Sequence, residues 1–308
     1  MNMITSRLLL LKAVYTVLLP CAVIVVSCHK PQLPGRFDGA KAFGYLEKQV
    51  AMGPRNPGST GWRTCQEWIV AHCDSLGVVC RKQPFDYSDF LTGDTLELVN
   101  IIASINPDVS CRILIAAHYD CRPRADHDPD STKRQMPIAG ANDGASGTAV
   151  LMHLIDLMSS QPPTVGVDLV FFDGEDYGPP GRDEQYLIGS TYFASHNQQK
   201  YRFGLLLDMV GDRDLKIYRE YYSELHAKKI NDKVWKKAVQ QGLTQFIDHV
   251  KDAVIDDHLP LISGGIPTID IIDMDYPYWH TQADTPDKCS PVSLEAVGQL
   301  VMEVIYDE

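Results

Sequence analysis

The eight cysteines include no C-x-x-C pair, so the ligand pairs that zinc ribbons use are missing. No GxxxxGK followed by Ser or Thr is present and no GxGxxG follows an apolar run, which removes the two common glycine-rich phosphate cradles. GxSxG, the elbow that presents a serine nucleophile in α/β hydrolases, is also absent. There is no internal repeat or low-complexity tract, which excludes a solenoid or propeller. Positive charge is scarce: 28 Lys and Arg stand against 40 Asp and Glu, giving a formal net charge of −12. So acidic a chain is a poor fit to a phosphate backbone, and no nucleic-acid partner is expected.

What is present begins with MNMITSRLLLLKAVYTVLLPCAVIVVSC, where Arg7 and Lys12 precede an apolar run that ends at Cys28. This pattern reads as an export leader. Pro20 and the shortness of the run argue against a permanent membrane helix, which wants roughly 20 clean apolar residues. The end, Val25-Val26-Ser27-Cys28, resembles a bacterial lipoprotein signal, cut before the cysteine whose thiol then carries lipid. The expected organisation is a signal peptide over 1–27, a lipidated tether over 28–36 and one domain over 37–308, lipid-anchored on the periplasmic side of a bacterial membrane. Without Arg7 and Lys12 the mature chain carries −14. Of the six later cysteines, 65 and 73 fall on an expected helix and 80 and 111 on expected strands, so buried free thiols are the default.

Amphipathic stretches at 37–53 and 61–77, separated by GPRNPGST, predict two helices. The pattern then changes to short apolar runs rich in branched residues: LELVNIIASI, CRILIAAH, VDLVFFD, RFGLLLDM and PTIDIID. Each has strand length. Helical stretches follow at 144–160, 223–243 and 290–308, the second with Val234 and Trp235 turned inward. The fold class is therefore α/β, a single domain with a mixed, mostly parallel central sheet flanked by helices on both faces.

Nearly every apolar run leads into a residue able to bind metal or move a proton. CRILIAAH ends at His118, VDLVFFD leads to Glu175 and Asp176, RFGLLLDM contains Asp208, and Trp279-His280 follow PTIDIID. Ligands of open α/β sheets bind at the carboxyl ends of strands, so these residues are predicted to converge. GANDGASG adds Asp143 at a helix start, where it caps the helix or joins the site. The adjacent carboxylates Glu175 and Asp176 repel each other unless they point apart, as neighbours in extended chain do. The Asp-rich loop at 126–130 reads as solvated, with calcium binding as the alternative.

The ordered set AAHYD, GANDGASG, FFDGEDYG, LLLDMVGD, DDHLP and YWHTQADT resembles the zinc aminopeptidase superfamily, and within it the bacterial glutaminyl cyclases, from about residue 40 to the C-terminus. The resemblance implies one zinc per chain held by Asp143, Asp176 and His280, with a fourth position open for catalysis. It implies conversion of N-terminal glutamine of peptides or exported proteins to pyroglutamate, with Glu175 moving the proton, Asp208 orienting the amine and Asp256 sharing a proton with Glu175. Trp279 matches the family's pocket-wall tryptophan, whereas Tyr186 stands where bacterial members commonly have another, which alters pocket shape. Asp176 and Asp270 replace a glutamate and a histidine of the animal enzymes. The competing expectation is a two-zinc aminopeptidase, in which His118 and Asp208 hold a second metal bridged by Asp143. A monomer is expected.

Overall fold

The structure is a computed structural model describing residues 33–308. The expected leader, Cys28 and most of the tether lie outside the described residues. Six strands form the central sheet: β1 (Val79–Ser88), β2 (Thr95–Ile105), β3 (Arg112–His118), β4 (Gly166–Phe172), β5 (Tyr201–Asp208) and β8 (Thr268–Ile272), in the order β1-β2-β4-β3-β5-β8. β1 and β2 run antiparallel to their neighbours, while β4, β3, β5 and β8 are mutually parallel. All five apolar runs thus became strands of one mixed sheet. β6 (Ile217–Glu220) and β7 (Phe246–Lys251) pair separately.

Seven α-helices complete the described chain: α1 (Gly39–Ala51), α2 (Thr60–Ser75), α3 (Ala145–Ser160), α4 (Ile188–His196), α5 (Tyr221–Gln241), α6 (His258–Ser263) and α7 (Pro291–Tyr306). Asp38 and Ser59 start the first two by accepting the backbone N–H of Lys41 and Trp62. The strands distribute their side chains with period two. Ile101, Ile115, Phe171 and Leu207 join the large core with residues of α1, α3 and α7, whereas Ile102, Leu114, Val170 and Leu206 meet Phe193 of α4 and Leu261 of α6. Each fully buried aliphatic side chain contributes roughly 1.5–3 kcal/mol. The central strands are sealed on both faces, which leaves their carboxyl edge as the open side.

Two expectations need correction. Cys111 lies just before β3 and is exposed, and Cys80 is only partly covered; Cys65, Cys73, Cys121 and Cys289 are the buried thiols. Cys80 does lie on a strand, β1, whose edge position leaves most of VCRKQPFDYS in solvent, without an apolar run to mark its extent.

Candidate metal and active site

The parallel strands deliver their carboxyl ends to one edge. His118 and Asp208 are the last residues of β3 and β5, Glu175 and Asp176 follow β4, and Trp279 and His280 lie in the loop after β8. Asp143 precedes α3, Asp256 precedes α6, and Tyr186 precedes α4. Asp143, Glu175, Asp176, Tyr186, Asp208, Asp256, Trp279 and His280 all line one cavity of about 400 Å³. Met209, Val254, Ile255 and Ile272 give it apolar walls.

Glu175 and Asp176 sit in a turn and not in extended chain. Gly174 turns the backbone at φ 68°, and the N–H groups of Glu175 and Asp176 both donate to the buried Asp120 carboxylate at 3.3 Å. Asp173, just upstream, accepts from Trp62 Nε1 at 2.9 Å and Val99 N at 2.7 Å. The turn, more than alternation, sets the two acids in place. Burial pushes the Glu175 carboxyl well above its usual range, with Asp176 and Asp256 adding to it against His118. Burial acts on Asp176 too, but His280 and Arg122 outweigh it and hold Asp176 at about 2.

Asp143 does not cap α3, whose N-terminus has no side-chain cap. Instead His280 Nε2 stands 3.5 Å from Asp143 Oδ2 and 3.4 Å from Asp176 Oδ1. One ligand atom from each of Asp143, Asp176 and His280 falls within 4.8 Å of the others. Asp143 Oδ2 and Asp176 Oδ2 are buried and have no hydrogen-bond partner. Such orphaned acceptors cost about 1–3 kcal/mol each, more when charged, and a cation satisfies both at once. Two carboxylates and an imidazole suit zinc, so the residues fit the ion.

Supporting groups fix these donors. The Asp284 carboxylate accepts the N–H of Asn142 at 2.8 Å and of Asp143 at 3.2 Å, and Tyr276 Oη donates to it at 2.7 Å. Gly144 has φ 90°, and a Cβ there would lie 2.4 Å from Asp120 O, so the turn carrying Asp143 requires glycine. His280 itself has φ 55°, a sparsely populated conformation held at the ligand position. Its Nδ1 faces Asp126 Oδ1 at 3.6 Å, and the Trp279 ring lies 4.0 Å from the imidazole. Asp284 and Asp120 lay inside the motifs HTQADT and AAHYD without being assigned a task. A carboxylate that binds backbone carries no distinguishing pattern in sequence.

His118 Nε2 approaches Asp208 Oδ1 at 3.1 Å and Asp143 Oδ1 at 3.3 Å, so His118, Asp143 and Asp208 form a second grouping of metal-donor type. Burial works against the His118 imidazolium, yet hydrogen bonds to Asp120, Asp143 and Asp208 raise its pKa well above the usual range. Asp256 Oδ1 accepts the N–H of Asp257 at 2.5 Å while its Oδ2 is buried with no hydrogen-bond partner, and its effect on Glu175 is through charge. Burial raises the carboxyls of both Asp256 and Asp270. The 126–130 loop is solvated at His127, Pro129 and Asp130, as expected, but is anchored through its other two aspartates. Asp126 holds Arg122, and the buried Asp128 accepts Gln282 N at 2.9 Å, pinning the loop that carries His280.

A sheet with acids and imidazoles gathered at the carboxyl ends of its parallel strands, three of them converging on one centre, defines a metal-dependent α/β enzyme of the zinc exopeptidase type. The chain belongs to peptidase family M28, whose model matches residues 100–305. It is 38% identical to a glutaminyl cyclase from Bacteroides thetaiotaomicron solved with N-acetylhistamine, covering 90% of this chain and 100% of that one with a TM-score of 0.87. It is 39% identical to a leucine aminopeptidase precursor from the same species, over 90% and 99% of the two chains with a TM-score of 0.87. The mouse glutaminyl-peptide cyclotransferase-like protein is 23% identical over 87% of this chain and 75% of its own length.

Proposed function

We propose that this protein is a glutaminyl-peptide cyclotransferase, converting the N-terminal glutamine of peptides or proteins to pyroglutamate with release of ammonia. The observation that carries it is the single cavity in which Asp143, Asp176 and His280 face Glu175 and Asp208 beneath an apolar wall that includes Trp279. Similarity to glutaminyl cyclases in both sequence and structure supports the same reading. The metal is zinc, one per chain, held by Asp143, Asp176 and His280. When bound, it supplies Lewis-acid polarisation of the side-chain amide carbonyl.

The protein's own groups do the rest. The α-amine and the amide carbonyl belong to one residue, so most of the proximity advantage is built into the substrate, and the cavity walls need only hold it folded. Asp208 orients the amine. Glu175 takes a proton as the ring C–N bond forms and returns it to the amide nitrogen as the other C–N bond breaks, so ammonia leaves and no proton is gained or lost. A carboxyl raised by burial serves both halves, being a willing acceptor and a willing donor. Asp256, close to Asp270, adds the charge that keeps Glu175 in that range. Tyr186 and Trp279 line the pocket that receives the glutaminyl side chain.

The grouping of His118, Asp143 and Asp208 favours one other reading, a two-zinc aminopeptidase. A Gln-initiated peptide and a leucine amide offered in parallel separate the two. Ammonia from the first with one zinc per chain is the expected result; free leucine from the second with two tightly held zincs overturns it. We also propose that the protein is exported as a monomer and anchored by lipid at Cys28. Cys28→Ala is expected to release it from the membrane fraction, and retention there contradicts the anchor.

A further inference from the structure

Arg122 lies beside the site but belongs to no part of the mechanism above. It is 1% exposed, in the loop after β3, and its guanidinium meets three residues at once. Nε and Nη2 donate to Asp126 Oδ1 and Oδ2 at 2.8 and 2.6 Å in a two-pronged pair. Nη1 donates to Asp176 Oδ1, and Nη2 also donates to Tyr186 Oη at 2.7 Å, with the charge 5.2 Å from the Tyr186 ring centroid.

Each contact has a consequence. Arg122 holds Oδ1 of Asp176, the oxygen 3.4 Å from His280 Nε2, and so fixes the plane of a carboxylate whose other oxygen is buried with no hydrogen-bond partner. Asp126, which fixes the guanidinium plane, also faces Nδ1 of His280 at 3.6 Å. The third contact holds the hydroxyl of a residue that lines the cavity. One rigid, planar cation thereby reaches two of the three metal donors and the substrate wall. Lysine cannot replace it, since an ammonium has no fixed fork.

We infer that Arg122 is a positioning residue that couples the metal centre to the substrate pocket, fixing the orientation of the Asp176 carboxylate and holding Tyr186 as a fixed wall. The inference rests on the reading in which Asp143, Asp176 and His280 hold zinc and Tyr186 borders the glutaminyl side chain.

The test compares wild type with Arg122→Lys, Tyr186→Phe and the double variant, using zinc affinity from chelator competition and steady-state kinetics at saturating zinc. Arg122→Lys keeps the charge and is expected to weaken zinc binding roughly 10–100-fold, the range for loss of a group that orients a ligand. Tyr186→Phe is expected to leave zinc affinity unchanged and raise KM. With zinc restored, Arg122→Lys raises KM at least as far as Tyr186→Phe, and the double variant goes no further than Arg122→Lys alone. Wild-type zinc affinity in Arg122→Lys, or KM effects that multiply in the double variant, overturns the coupling. If Arg122→Lys does not fold, Asp126→Asn, which loosens the same fork, is expected to weaken zinc in the same direction, and unchanged affinity there counts against the proposal. Should wild type fail to cyclise any glutaminyl peptide, the cyclase reading falls while the zinc measurement still decides the role of Arg122.

Discussion

Glu175 and Asp176 are chemically similar neighbours with opposite behaviour, and their surroundings account for it. Asp176 has His280 and Arg122 against it and stays ionised, whereas Glu175 is surrounded by Asp176, Asp256 and Asp257 and is pushed up by burial. One is therefore suited to hold a cation and the other to carry a proton. Glu175→Gln preserves shape and removes the titrating group. It is expected to retain the zinc content of wild type and lose on the order of 10²–10⁴ in kcat, the usual contribution of a positioned general base. Metal analysis and ammonia release on the same preparation check this; near-normal turnover would remove Glu175 from the proton path.

At the scale of elements, the sequence disclosed what repeats and concealed what is solitary. β2, β3, β4, β5 and β8 announced themselves through apolar runs because both faces of the central sheet are covered. The edge strand β1 and β7 present half or more of their residues to water, and β6, though buried, is only four residues long with Arg219 and Glu220 in it, so none of the three has an apolar run. Of the site, the residues at strand ends were legible, since topology alone sends His118, Glu175, Asp176 and Asp208 to one edge. The geometry of their supports was not. That Asp120 receives two N–H groups of the Glu175 turn, that Asp284 receives those of Asn142 and Asp143, and that Asp126 braces Arg122 all depend on loop conformation. No spacing rule encodes it. The turn at Gly174 shows the same limit: the adjacency of the two acids was visible, but their directions come from a turn that alternation does not describe.

At the scale of the molecule, the concentration of buried acid makes stability depend on pH in a way that metal should reverse. In the metal-free protein, burial aided by Asp120 holds Asp173 at about 8, and burial holds Asp273 and Asp284 at about 7. An unfolded aspartate titrates near about 3.9, so between roughly pH 4 and 8 the native state carries protons that the unfolded chain has lost, and stability falls as pH rises. Asp176 and Glu220 act in the opposite sense. Burial raises both, but His280 with Arg122 and His258 respectively overcome it and hold each at about 2, so their contribution is lost as pH falls through that range. The metal-free protein is therefore expected to melt highest near about pH 4–5 and progressively lower toward pH 8. Zinc binds deprotonated ligands and binds the folded state alone, so its stabilisation grows over the same interval. Thermal melts with zinc and with chelator across pH 5–8 should show a gap in Tm that widens with pH. A gap that is constant, or a chelated protein whose Tm climbs toward pH 8, would mean that the buried carboxyls are satisfied without a cation and that the centre formed by Asp143, Asp176 and His280 does not govern the stability of the domain.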